Sequence, residues 1–509
     1  MHSKKITINS ICNIAYKIFT ICFGLISRRI ILVFLSEEIL GLSSLFSSVL
    51  DLLNMADMGL GVSLQYLLYS PLARNDSKRI TEILAGARKF FRFVFWFILL
   101  VGTGLSFFLE YLIKSNPYDN VFIQICFLIN VFSVALTYLN AYKRIYFQAN
   151  EQGYVCNNID MIVYFFACVL KILVIVITKN YIAFLLVSIV SSFATNIILD
   201  AMWKKKKLPE IDYQNDNGNI STEFIKSVKD ILPARLANYV YSSTDTLLIS
   251  HFLGLVESAK YNNFFLIITS VTSIIGIIAV NVVPSWGIYS NEAESKDLLK
   301  VFKCYELIQF FLSGFCSLCL LFLMGPFVSL WMGEKYVYSQ GIILLLVIQF
   351  YSSTVLYPLN AMTNSLGLFK GLKKIAIVVM MVNLIVSIGS IYFWGVAGVI
   401  AGTIVANIVN IGMHSKLVIC ELDNSYLPSF LRNNFEYCFA TIFCGAIIAY
   451  VFNMIQWNGI GYIRLCFGIV IIFIVFFVCG IVVICVNEKR REAMLIIINK
   501  VKTLRRERE

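Results

Sequence analysis

The chain has 509 residues, 59% of them hydrophobic and only 14% charged, with a formal net charge of +12. Soluble domains run near half apolar and a quarter charged, so the composition excludes a soluble globular protein and marks an integral membrane protein. With only three His the chain cannot build a His-rich metal centre, and the excess of cations is spread over inter-helix loops, which is topological and not a nucleic-acid footprint.

The apolar runs are long and separated by short polar breaks. A helix needs about 20 such residues to cross a hydrocarbon core, whereas barrel strands show about 10 in alternation, so the expected class is all-α and polytopic. Fourteen spans are expected, at 10–35, 40–69, 90–113, 119–142, 159–178, 180–201, 229–252, 262–289, 304–325, 341–367, 375–393, 396–415, 436–455 and 463–486.

Span one opens with Lys17 inside an apolar run and closes on Arg28 and Arg29. It lacks a small-residue cleavage site, so it is not read as a removable signal peptide. Lys17 and Arg28 are eleven residues apart, which at 100° per residue returns to within about 20° of one helix face. Arg29 points elsewhere and reads as an interface anchor. Span two carries Asp51, Asn54, Asp57, Gly61 and Gln65 on one polar face. Asp51 or Asp57 is a candidate partner for a span-one cation. Arg92 in span three and Lys171 in span five are further cations at membrane depth. Such groups are expensive in hydrocarbon and face a wet cavity or a partner. "GTGLS" at 102–106 lacks the strand and the GK[ST] ending of a phosphate loop.

A polar linker at 202–228 divides the chain. Span seven then repeats the span-one pattern with Arg235, Asn238, Ser242 and Thr246, and Asp245 lies just off that stripe. Cys316 and Cys319 form a CxxC, but within a span, where Cys packs as a small hydrophobe. The tail at 487–509 is basic and suited to anionic lipid.

Thirty of the 42 Lys and Arg fall in loops on the N-terminal side of the membrane, and only Lys114, Lys179, Lys260 and Lys335 fall opposite. The positive-inside rule therefore places both termini in the cytoplasm. The two halves also match at an offset of 218: Ser77 and Lys78 fall on Ser295 and Lys296, and Lys17 falls on Arg235. The expected domains are an N-lobe of six spans (1–201), the linker (202–228), a C-lobe of six spans (229–415), an added pair of spans (436–486) and the tail. Two six-helix lobes in a pseudo-two-fold parallel repeat bring their cationic stripes toward a shared cavity, the arrangement of some secondary transporters.

Three stretches carry a resemblance. "LGLSSLFSSVLDLLNMADMGLGVSLQYLLYSPLARNDSKRI" (40–80), "TDTLLISHFLGLVESAKYNNF" (244–264) and "YPLNAMTNSLGLFKGLKK" (357–374) resemble the polysaccharide flippases, the O-antigen and capsule translocases of the multidrug/oligosaccharidyl-lipid/polysaccharide (MOP) exporter superfamily. The resemblance implies translocation of an undecaprenyl-pyrophosphate-linked repeat unit to the outer leaflet of a bacterial cytoplasmic membrane. It implies no enzymatic activity and no cofactor, with a glycan polymerase and assembly proteins as partners and the last two spans guiding the lipid tail. Lys17, Arg28, Arg235, Arg92 and Lys171 are the expected substrate-binding cations, with Asp51, Asn54, Asp57 and Asp245 as polar or ion-pairing neighbours. The coupling ion, sodium or proton, stays open, with Asp245, Asn383 and Asn407 as candidates. A drug or small-cation exporter of the same superfamily would want acidic residues at depth, and the deep charges are mainly basic. A glycan polymerase or ligase would want a sizeable outer loop, and none is present.

Overall fold

The computed structural model describes residues 2–53, 55–114, 118–206, 222–292, 295–366, 368–455, 461–485 and 490–495. Among them the regular structure is helical. The elements are α1 (His2–Phe34), α2 (Glu37–Leu53), α3 (Met55–Ala73), α4 (Ser77–Ser106), α5 (Asn120–Tyr138), α6 (Ala141–Ala149), α7 (Gly153–Thr178) and α8 (Tyr181–Lys205). They continue with α9 (Thr222–Phe252), α10 (Leu255–Glu292), α11 (Ser295–Met332), α12 (Gln340–Leu366), α13 (Phe369–Trp394), α14 (Val396–Asp423), α15 (Leu427–Met454) and α16 (Gly461–Cys485). Short 3₁₀ turns lie at Leu109–Leu112, Glu334–Tyr336 and Asn424–Tyr426.

Each of the fourteen expected spans has its helix. Span two comprises α2 and α3, and span four comprises α5, with the short α6 beginning at its end and running on beyond it. The ends follow local chemistry. The Asp76 carboxylate accepts from the Arg79 amide at 3.0 Å to cap α4, and the Asn180 side chain accepts from the amides of Ile182 and Ala183 to cap α8. Lys179 closes α7 at φ 48°, the left-handed cap that satisfies a terminal carbonyl. Among the described residues eight stretches are long and apolar enough to cross a membrane, including Gly153–Thr178, Gly371–Trp394 and Gly461–Cys485. Bulky apolar side chains point outward along them, such as Ile177, Phe393 and Phe435, 78%, 83% and 74% exposed. Water would not tolerate that surface, and lipid would. The protein is a multi-pass membrane protein.

The repeat holds at the level of helix boundaries. Shifting α1 by 218 gives 220–252, against α9 at Thr222–Phe252, and shifting α2 and α3 gives 255–291, against α10 at Leu255–Glu292. The starts of α4, α5, α7 and α8 fall on, or within three residues of, those of α11, α12, α13 and α14. The halves differ in how two helices are interrupted. The turn after α4 contains Phe108, whose counterpart is Pro326 inside α11. The turn between α5 and α6 contains Asn140, whose counterpart is Pro358 inside α12. Proline removes a helical N–H and crowds the carbonyl four residues back, so each proline weakens its helix where the first half has a turn.

The chain divides into two compact units, Met1–Asn262 and Asn263–Glu509. The division falls within α10 and not at the linker, of which residues 207–221 lie outside the described set. It follows from the packing of α9 on α2 and α3. Beside this contact, Gly41 of α2 lies so close to the carbonyl of Leu255, the first residue of α10, that a methyl group there would sit 2.0 Å from its oxygen. The first unit is cored by Leu42, Leu45, Phe91, Phe127 and Phe147, all fully buried. The second has two apolar clusters, one around Phe302, Leu359 and Val418 and one around Leu307, Ile448 and Ile472. Its tightest helix pair is α13 with α14. A methyl on Gly398 would meet the Ser390 carbonyl oxygen at 2.4 Å, and one on Gly402 the Ser387 hydroxyl at 2.1 Å. Small residues here bring two backbones together, as helix packing without a hydrophobic drive requires.

Candidate functional site

Two of the expected cations, Arg28 and Lys171, stand at the two ends of one run of side chains in the first unit. Arg28 lies six residues before the end of α1, about 9 Å below it. Its Nη2 donates to the Ser44 hydroxyl on α2 at 3.4 Å, and Ser44 in turn donates to the Leu40 carbonyl. The adjacent Ser43 shares a hydrogen bond with the Tyr181 hydroxyl at the start of α8. Tyr181 is buried and stacks on Phe184, with ring centroids 6.0 Å apart and planes 17° apart. The Lys171 ammonium sits over the other end of this chain, 5.0 Å from the Phe184 ring centroid.

The register of α1 on α7 brings the two cations level. Phe19 and Phe23 pack on Tyr164 and Phe165 at centroid distances of 4.6 to 6.3 Å within the cluster. Five or six residues further along the parallel helices, about 8 Å, stand Arg28 and Lys171. Arg28 is held by a hydroxyl and Lys171 by an aromatic face, contacts that orient each cation. Such cations at membrane depth retain attraction for a group with several anionic oxygens. Neither Ser43, Ser44 nor Tyr181 stood out in the sequence. The signal for them is two hydroxyls nearly two turns into α2 and a tyrosine at a helix start, too common to carry an assignment.

Lys17 is not in this layer. It is half-buried, about 16 Å nearer the other end of α1, and the Thr20 hydroxyl bonds to its carbonyl. The shared helix face predicted for Lys17 and Arg28 is present, but their surroundings differ. Next to Lys17, Tyr16 couples electrostatically to Arg144 and Asp160. Arg144 and Asp160 form a two-pronged ion pair, and Lys143 bonds Asp200 at 2.6 Å while lying 5.8 Å from the Trp203 ring. Burial works against the Arg144 charge, but the bond and charge of Asp160 raise its pKa above the ordinary arginine value. This end of the unit is built from paired charges.

The other expected residues are spread. Arg92 is exposed on α4 beside Phe93, away from the buried face of Leu84, Phe91 and Val94. Asp51 is exposed on α2, seven residues beyond Ser44. Asp245 is buried and accepts from the Tyr261 hydroxyl at 3.0 Å, while the Thr246 hydroxyl donates to the Asn262 side chain at 3.3 Å. Arg29 is exposed, consistent with an interface anchor. Asn54 and the side chains of Asp57 and Arg235 lie outside the described residues. In the second unit Asn383 donates to Thr403 at 3.0 Å, and Asn407 donates to Ser352 at 2.9 Å.

No known family profile and no curated protein matches the sequence. Solved structures do match the fold. The lipid II flippase MurJ, in an inward closed conformation, aligns with a TM-score of 0.69 at 12% identity, over 93% of this chain and 97% of its own. An inward-facing multidrug resistance MATE family transporter of the MOP superfamily aligns at 0.66 and 13% identity, over 83% of this chain and 99% of its own. The Vibrio cholerae MATE transporter VcmN aligns at 0.61 and 13% identity, over 83% and 98%. The chain has the fold of MOP-superfamily transporters.

Proposed function

We propose that the chain is a flippase that moves a lipid-linked oligosaccharide, carried on undecaprenyl pyrophosphate, from the inner to the outer leaflet of a bacterial cytoplasmic membrane for surface polysaccharide assembly. The observation that carries this reading is the layer holding Arg28 and Lys171 at membrane depth. A pyrophosphate cannot leave water for hydrocarbon without replacement of its hydration, and oriented cations supply it. Lys17, Arg92 and Arg235 are further contacts along its path, and Asp51, Asn54, Asp57 and Asp245 their polar neighbours. Both termini are cytoplasmic in this reading, and a glycan polymerase and assembly proteins receive the product. The likeness to a lipid II flippase over 93% of the chain supports a lipid-linked substrate. Alternating access by rocking of two repeats suits the repeated helix order.

The test is export of surface polysaccharide in cells whose only copy carries Arg28→Gln and Lys171→Gln together. Loss of export at unchanged protein level supports the reading, and normal export sinks it. A multidrug or small-cation exporter is the second reading, favoured by the MATE likeness. It requires that deleting the gene sensitise cells to cationic drugs while leaving surface glycan intact.

A further inference from the structure

The second unit contains a buried carboxylate set between two cavities. Glu306 on α11 is 4% exposed. Its Oε2 accepts from the Tyr426 hydroxyl at 2.8 Å, and its Oε1 accepts from the Asn434 amide at 3.4 Å. On one side lies a small cavity lined by Lys303, Tyr426, Ser429, Arg432, Asn433 and Arg490. On the other lies a narrower, water-sized chamber lined by Gln309, Ser313, Tyr351, Val355 and Asn434. Glu306 and Tyr437 line both.

Gln309 is the second observation. It is 3% exposed, and its amide nitrogen and oxygen both lack a hydrogen-bond partner among the described residues. Three residues apart on one helix, Glu306 and Gln309 are side-chain neighbours and share the inner chamber. Ser313 and Ser317 continue the buried row. An orphaned buried amide calls for an explanation, and a second state in which it is hydrogen-bonded supplies one.

We propose that Glu306 is a proton-binding site, reached from the cavity beside Arg490, with Gln309 as the acceptor that satisfies it when protonated. A hydronium ion in that cavity gives its proton to a Glu306 oxygen, leaving water and a neutral carboxylic acid. The new O–H donates to Gln309 Oε1, and no electron pair changes owner elsewhere. The ligand is a proton and not a metal cation because, among the described residues, Glu306 is the one carboxylate lining either cavity, with Lys303, Arg432 and Arg490 beside it. A hard cation takes several oxygen ligands, whereas a proton needs one lone pair and one acceptor.

Charged and titratable groups face the site from every side. Lys303 stands one turn away on α11 and lies 4.7 Å from the Tyr426 ring. From α15, Tyr437 lines both cavities, Arg432 lines the larger one and pairs with Glu436. Tyr351 faces the chamber from α12. Arg490, 6% exposed, stacks over Tyr437 at 4.7 Å, bonds Glu436, and donates to Asn433 at 3.2 Å. Arg490 and Lys303 favour the charged carboxylate, burial opposes it more strongly, and the proton enters against that balance.

The site does not depend on the identity of the transported molecule. It is tested on the purified full chain by infrared difference spectroscopy across pH, in H₂O and D₂O. A carboxylic-acid C=O band is expected in the wild type, with its full amplitude lost in Glu306→Gln. In Gln309→Leu the band should remain but shift, having lost its acceptor; this holds even where Glu306→Gln fails to fold. The proposal is overturned if Glu306→Gln leaves every carboxylic-acid band in place, if Gln309→Leu leaves the band unshifted, or if the band answers to sodium at fixed pH instead of to pH.

Discussion

Arg144 grips Asp160 with two parallel bonds, Nη2 to Oδ1 at 2.6 Å and Nη1 to Oδ2 at 2.8 Å. The side chains are 29% and 22% exposed, so the pair is partly withdrawn from solvent and should matter more than a surface ion pair. Asp160→Asn should destabilise the protein by about 2 kcal/mol, because a guanidinium is left without its counter-charge. The double variant Arg144→Gln/Asp160→Asn should recover part of that loss. Thermal unfolding of the purified protein in detergent measures both, and equal losses in the single and double variants would refute the coupling.

The Arg28 layer makes a charge-specific prediction. Arg28→Lys keeps the charge but shortens the fork that reaches Ser44, so export should fall by a few-fold, whereas Arg28→Gln should fall at least about tenfold, the factor of one 1.4 kcal/mol contact. Tyr181→Phe removes the bond to Ser43 and leaves both cations in place, so its effect should be smaller than that of Arg28→Gln. Export per unit of protein, from immunoblots and surface glycan, ranks the three.

The α13–α14 contact can be tested with an internal control. Gly398→Ala forces a methyl against the Ser390 backbone, which cannot move as a side chain can, and should cost about 1–3 kcal/mol. Gly389→Ala, with nothing within 4 Å, should be neutral or gain up to about 1 kcal/mol from helix propensity. Opposite signs in a melting experiment are the expected result.

Orientation is testable by labelling. In a cysteine-free background, Lys335→Cys should react with a membrane-impermeant maleimide in intact cells. Arg74→Cys should react only after permeabilisation. The reverse pattern would invert the topology.

The helices were legible because lipid demands an apolar run wherever a span exists, and the 218 offset was legible because Ser77–Lys78 and Ser295–Lys296 flank corresponding helix starts. The site was only half legible. Periodicity puts Lys17 and Arg28 on one face, yet a face 16 Å long passes through different neighbours, paired charges at Tyr16 and a bonded hydroxyl at Ser44. Joining Arg28 to Lys171 takes Tyr181 from another helix, and no local pattern announces that. Glu306 escaped for the same reason: its partners Tyr426 and Asn434 are 120 and 128 residues away. Packing made those pairs, and one-dimensional spacing does not encode packing at that range.

The paired interruptions, Phe108 with Pro326 and Asn140 with Pro358, bear on the mechanics of the chain. A turn and a proline are chemically unlike, but both subtract one or two rungs from the hydrogen-bond ladder at a fixed height. What the two halves hold in common is therefore compliance, placed at matching levels by different means. Each half can flex there at low cost while the rungs above and below stay stiff, so the softness itself is the duplicated part.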